Sequence, residues 1–340
     1  MSQSEFAYSY DQLRDRVSDA LVYARRQGAD AVEVEASEGF GMSVTVRQQA
    51  LETIEYNRDK GVSVTVYLGQ RKGYASTADF SAKALRDTVN AALDIARFTA
   101  PDPCAGLPEA SLLASGSADL DLHRPWSIDV EQAAEIARRC ESAALGVSDQ
   151  ISNSEGASLS TQAGQFCMGN SLGFLGGYPG SRHYIACSVI AGKGNAMQRD
   201  DWYTTGRDPK ALAAPEEVGE YAARRALSRL GARKVKTCEV PVIFEAPLAC
   251  ALLGNFVHAA SGGSLYRKAS FLRDRLGQRV FSAPVSIDER PHLRGAMASA
   301  PFDNDGVATD DRTVVADGVL EGYFLSTYSA RKLGMTTTAN

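Results

Sequence analysis

The sequence predicts an α+β fold. It reads as an N-terminal antiparallel sheet with helices packed on it, followed by a β-rich second domain, a meander or partial barrel with inserted helices. Three observations predict this. Apolar spacing changes from helical to alternating within the first fifty residues. The first hundred residues run helix, glycine-turned strands, helix, the order of one layer of helices on one sheet. Short alternating runs separated by glycine then recur between residues 151 and 206.

Taken in order, Leu13, Val17, Ala20, Leu21 and Ala24 lie at helical spacing within Ser9–Gln27, and Gly28 suits the C-terminal cap. Residues 31–36, 42–47, 51–56 and 62–68 alternate as strands with one wet face do. The last run meets Tyr74–Ser76 across a turn bounded by Gly69 and Gly73. Ser81 caps a second helix carrying Leu85, Val89, Leu93 and Ile95. Residues 101–128 have no sustained period and contain Pro101, Pro103, Pro108 and Pro125, so they read as a linker. This divides the chain into an N-terminal domain, 1–100, and a second domain, 129–340.

A third helix follows from Val130 to Leu145, with Asp129 and Gln132 in capping-box positions. Strands are expected over 157–161, 165–169, 173–178 and 184–191, and a fourth helix over about 215–230. Residues 239–244 read as a strand. A fifth helix, from near Pro247 to about Ala260, is apolar on nearly every side, which predicts that it is covered. Asp317-Gly318 between two apolar runs predicts a tight hairpin. The last residues, Thr336–Asn340, carry neither a cap nor a closing strand, so the second domain reads as incomplete on its C-terminal side.

Composition narrows the function. The 340 residues amount to about two domains. A net charge of −5 leaves no basic footprint for nucleic acid. No apolar run approaches the ~18 residues of a membrane span. The polar N-terminus lacks a secretory pattern. Six scattered cysteines without a C-x-x-C pair suit a reducing cytoplasm and read as buried small side chains.

The local chemistry is sparse. There is no G-x-S-x-G elbow. Cys250 and His258 stand two helical turns apart, too far for a hydrogen bond. The glycine-rich stretch 173–180 lacks a P-loop ending and reads as a turn-rich strand connection or a clamp for peptide backbone. Asn57, Arg58 and Asp59 form a dense polar turn, either a neutral surface cluster or a recognition segment. Arg182 and His183 form a hairpin shoulder or a binding edge. A helical zinc site needs two histidines one turn apart with a glutamate as base, and the fifth helix has only His258.

Seven stretches, in this order, carry a resemblance: Gly28–Ala31, Glu55–Gly61, Asn153–Ala157, Gly169–Ser171 with Gly173–Tyr178, Phe244–Pro247, Ser261–Gly263 and Ser326–Gly334. Together they resemble the TldD/PmbA family, on its PmbA (TldE) side, over essentially the whole chain. The resemblance implies a subunit of a cytoplasmic two-chain metallopeptidase, acting on unfolded peptides such as antibiotic precursors and antitoxins. Peptide-bond hydrolysis is then expected only together with a TldD-type, zinc-bearing partner in a heterodimer. An older family name, modulator of DNA gyrase, describes an indirect effect.

In the TldD-type motif His-Glu-x-x-x-His, laid through Leu252-Leu253, the ligand and base positions are Gly254, Asn255 and Ala259. This chain is therefore expected to have no metal, no cofactor and no catalytic residue of its own. Asn57, Arg58, Asp59, Tyr178, Arg182 and His183 are the expected contacts to peptide or partner. Relatives continue past Met335, which agrees with an incomplete second domain. The alternatives are a non-proteolytic binding or regulatory protein, and an autonomous hydrolase with an unrecognised site.

Overall fold

The computed structural model describes residues 5–116 and 118–340. Helix α1 (Tyr10–Arg26) begins with a capping box between Ser9 and Gln12 and buries Leu13, Val17, Ala20 and Ala24. The next alternating runs merge into two long strands, β1 (Ala31–Arg47) and β2 (Ala50–Leu68), followed by β3 (Arg71–Thr77). Alternation breaks at Gly39, Gly41 and the polar residues 57–61, but the backbone stays extended because the partner strands continue past them. Helix α2 (Ala82–Phe98) is capped by Ser81. After the proline-rich segment come α3 (Val130–Gly146), β4 (Ile151–Asn170), β5 (Leu175–Gly176), β6 (Pro179–Ala191), β7 (Gln198–Gly206) and α4 (Pro215–Ser228).

These strands form one antiparallel sheet in the order β3-β2-β1-β4-β6-β7, with β5 beside β4. β1 pairs with β2 on one side and, from Glu33↔Asn170 to Val46↔Ala157, with β4 on the other. The sheet therefore runs without a break across the two sequence regions separated by residues 101–128. Side chains alternate across it. Val32, Val34 and Ala36 meet α1 and α2, while Met42, Val44 and Val46 meet α3 and α4. All four helices thus cover the same face. Glycine permits two of these contacts: a Cβ on Gly73 would lie 1.9 Å from the Ala92 carbonyl oxygen, and one on Gly219 would lie 1.9 Å from that of Cys140.

The remaining elements are α5 (Ala246–Ala259), α6 (Gly262–Tyr266), β8 (Ile287–Glu289), β9 (Arg312–Ala316), β10 (Val319–Leu320) and α7 (Thr327–Leu333). They surround a separate core of Phe256, Leu265, Leu272, Val314, Val315, Leu320 and Leu325. Asp317 and Gly318 both have positive φ, giving the hairpin that the Asp-Gly pair predicts. This lobe docks on the helix-free face of the large sheet, where Phe302 packs edge-on against Phe166 and Phe174. Arg331 on α7 donates to the carbonyls of Cys104, Gly106 and Leu107, and Asp102 accepts from Tyr328 and Lys332.

Three expectations change. Residues 239–244 form no strand among the described residues, and Ile243 is 97% exposed. An apolar alternating run needs an adjacent strand edge, and none among the described residues pairs with it. Helix α5 buries Phe256 and Ala259 but exposes Leu248, Leu252, Leu253 and Val257, so the described residues do not cover its all-round apolar surface. Of the cysteines, Cys140, Cys167 and Cys187 are buried, whereas Cys238 and Cys250 are exposed. Among the described residues, no helix is long and apolar enough to cross a membrane.

Candidate functional site

The C-terminal lobe covers only one end of the helix-free face. On the open part, glycines from three neighbouring strands stand side by side. Gly39 on β1 is opposite Asp59 on β2 and Gly164 on β4, and Gly164 is opposite Gly180 on β6. The row Asp59–Gly39–Gly164–Gly180 therefore exposes backbone where neighbouring rows carry side chains. The next row on the same face is Asn57–Gly41–Gln162–Arg182. A Cβ on Gly41 would lie 2.6 Å from Asn57 Oδ1 and 2.9 Å from Gln162 Cγ, so this glycine lets its neighbours lean inward. The result is a shallow trough of about 370 Å³ with Asp59 and Asn57 at one end and Arg182 and Arg207 at the other.

Arg207 follows β7 and is held in place by four carbonyls. Nε donates to Ala296, Nη1 to Leu122 and Ser181, and Nη2 to Met297. Burial, with the positive Arg182 nearby, pulls its pKa below the ordinary arginine value. Arg182 is exposed, with Nε on Thr205 Oγ1 at 3.3 Å.

The sequence-predicted residues divide by face. Asn57, Asp59 and Arg182 meet in the trough. Tyr178 stands two residues before Gly180, edge-on to Phe166 at 4.8 Å and Phe302 at 5.6 Å. Arg58 lies over the Phe40 ring at 5.4 Å and donates to the Glu5 carbonyl. His183 is buried on the helix-covered face beside Trp126, at the back of a pocket of about 220 Å³. Its Nε2 lies 2.8 Å from the Arg124 carbonyl, which only accepts, so Nε2 carries the proton and Nδ1 accepts from Thr161 Oγ1. Burial lowers its pKa, and both nitrogens are engaged within the chain. Sequence reasoning missed Gly39, Gly164, Gln162 and Arg207, while Gly180 ends the stretch 173–180 that it weighed as a clamp for peptide backbone. The available signal was glycine inside an extended run, which marks a close backbone approach.

A second polar cluster lies under the lobe at the covered end of the same face. Tyr67 Oη donates to Glu33 Oε2 at 3.3 Å. Burial, then the charge of Asp305, pushes the Glu33 pKa up to about 7. Burial likewise raises Asp303 to about 6, although its Oδ1 accepts the Asp305 and Val307 amides. Asp305 Oδ2 accepts from the Thr327 amide.

The α5 positions aligned with the zinc motif do not fit a zinc site. Gly254 and Ala259 carry no donor, and the Asn255 side-chain nitrogen is engaged with the Ala251 carbonyl at 2.9 Å. A tetrahedral site needs three or four convergent ligands, and His258 alone offers a nitrogen on this stretch of the helix. Among the described residues, no three His, Cys, Asp or Glu side chains are grouped to hold a metal ion.

Comparison with known proteins places these features in a family. Residues 32–96 match domain 1 of the PmbA/TldA metallopeptidases, residues 123–230 their central domain and residues 237–340 their C-terminal domain. The chain is 45% identical over 328 residues to Metalloprotease PmbA of Escherichia coli O157:H7, covering 96% of this chain and 73% of that protein. It is 44% identical over 329 residues to a Metalloprotease PmbA homolog of Haemophilus influenzae, covering 97% and 73%. A crystal structure of a protein described as a modulator of DNA gyrase, from Bacteroides thetaiotaomicron, superposes with a TM-score of 0.92. Its identity is 26%, over 97% of this chain and 76% of that one. With all three domains matched in order, the chain belongs to the PmbA/TldD family of metallopeptidases.

Proposed function

We propose that this chain is the PmbA/TldE-type subunit of a cytoplasmic two-chain metallopeptidase. In this reading it helps enclose the site for an unfolded peptide, while a TldD-type partner holds the zinc, the attacking water and the base. The observation that carries the reading is α5, in which Gly254, Asn255 and Ala259 stand at the three motif positions. This chain's contribution is then positional. The trough then holds an extended peptide against the bare glycine floor, with Asn57, Asp59 and Arg182 flanking it. Tyr178 stands beside that surface, whereas Arg58 and His183 lie on the opposite, helix-covered face and support the sheet from behind.

The test is co-expression with a TldD-type homologue that carries His-Glu-x-x-x-His. The expected result is a co-purifying complex that cleaves an unstructured peptide, while this chain alone retains less than about a tenth of an equivalent of zinc after dialysis. Peptidase activity and a full equivalent of zinc in the isolated chain would instead make it an autonomous hydrolase.

A further inference from the structure

The glycine row has no explanation inside the chain at two of its three positions. Neither Gly39 nor Gly164 has positive φ, so a side chain would cost no backbone strain. A Cβ on Gly39 would lie 3.5 Å from the Ala163 carbonyl oxygen, and one on Gly164 would lie 3.5 Å from that of Glu38. Both are ordinary contacts. Half-exposed extended positions of this kind normally carry β-branched or polar side chains, and bare backbone there suits something lying directly on the strands.

Charge says what that is. Arg182 and Arg207 stand together at the β6 end, and among the described residues no ion pair serves either of them. Asp208, the acid next to Arg207 in sequence, is taken by Arg124. A partly buried guanidinium without a counter-charge is costly and favours an anion beside it. Among the described residues Arg182 uses only its Nε, on Thr205, so its Nη pair can meet a planar carboxylate, while Arg207, with four of its five N–H groups on carbonyls, adds its charge and one Nη2 hydrogen. Asp59 marks the opposite end with a negative charge. From β2 to β6 the trough spans three strand spacings, roughly 14 Å at about 4.8 Å each. Four extended residues cover about that distance.

We infer that the trough binds the C-terminal end of an extended peptide, its last four residues lying across Gly39, Gly164 and Gly180 with the terminal carboxylate at Arg182 and Arg207 and the preceding chain leaving past Asp59. The inference deepens the peptide-holding reading above and rests on it. Because the floor is backbone, the site recognises a chain end rather than a sequence.

Binding to the isolated chain tests it, by calorimetry or NMR titration with tetra-alanine as the free acid, tetra-alanine amide, acetate and inorganic phosphate. The free acid should bind at least about tenfold more tightly than the amide, one fewer charged hydrogen-bond pair accounting for the difference. Arg182→Gln should reduce the acid to the level of the amide. Gly39→Leu should abolish binding with thermal stability retained. If that variant does not fold, shifts in the Gly39, Gly164 and Gly180 amides on titration of the parent chain replace it.

Equal binding of acid and amide overturns the inference, as does acetate or phosphate binding as tightly as the peptide acid, which would mark a simple anion site. Peptidase activity with a zinc-bearing homologue alongside equal acid and amide binding sinks this inference alone. Acid-selective binding without that activity sinks the two-chain reading and leaves the site.

Discussion

Glu33 is the residue whose environment departs furthest from what its neighbours in sequence suggest. It sits in an alternating run, Ala31–Ala36, in which glutamate reads as the wet face of a strand. The folded chain instead places it, half-buried, beneath the C-terminal lobe with Tyr67, Asp303 and Asp305. Its pKa rises from an ordinary 4.5 to about 7, so the folded state binds a proton that the unfolded state releases. The stabilisation this provides is present below pH 4.5 and is lost as the pH rises toward 7. Asp303 acts in the same direction up to about pH 6. Glu33→Gln keeps the acceptor for Tyr67 and removes the charge. It should therefore raise Tm at pH 8 by roughly 3–6 °C, on the order of 2 kcal/mol, and leave Tm at pH 4.5 nearly unchanged. Parallel pH profiles for the parent and the variant would show that Glu33 is solvated. The glycine row is a similar case: each glycine is visible in the sequence, but their adjacency depends on which strands pair.

At the scale of elements, caps and turns were legible because they are local. Ser9 and Gln12, Ser81, Asp129 and Gln132, and Asp317-Gly318 all act where their short-range chemistry places them. Strand length was not legible, since Gly39 and Gly41 interrupt alternation without interrupting pairing. The close approach of α3 and α4 depends on Gly219, whose absent Cβ admits the Cys140 carbonyl. In an exposed helix, Gly→Ala stabilises by about 0.5–1 kcal/mol. Here Gly219→Ala should destabilise by about 2–3 kcal/mol, because backbone must move to admit the methyl. The midpoint of urea unfolding gives the sign directly, and a rise would mean that the helices have room between them. Helix α5 shows the limit of reading an element by itself. Its apolar composition says that something must cover it, while the described chain leaves Leu248, Leu252 and Leu253 half-exposed.

At the scale of the molecule, the C-terminal lobe meets the rest of the chain through the Phe302 cluster and through hydrogen bonds to the segment after α2. Arg331 reaches three carbonyls of the segment after α2, and Asp102 collects Tyr328 and Lys332. Arg331→Ala leaves those partly buried carbonyls without a donor, at a cost of about 1–3 kcal/mol local to the junction. Limited proteolysis between residues 101 and 128 should then quicken about tenfold, while hydrogen exchange in β1 and β4 stays unchanged. Loss of protection in β1 as well would show that lobe and sheet unfold as one unit.

The α+β class, the helix starts, the Asp-Gly turn, the family, and the absence of zinc donors at positions 254, 255 and 259 were all legible along the chain. Each follows from residue identity at short range or from the order of motifs along the chain. Folding set the rest: that β1 pairs with β4 across the proline-rich segment, that Glu33 lies half-buried under the lobe, and that Arg182 and His183, adjacent in sequence, serve opposite faces of one sheet. It also decided that three glycines more than a hundred residues apart, at the extremes, make one floor. Strand pairing sets these outcomes. Register between distant strands is chosen by the whole buried face at once, and local spacing carries no record of which partner a strand will find.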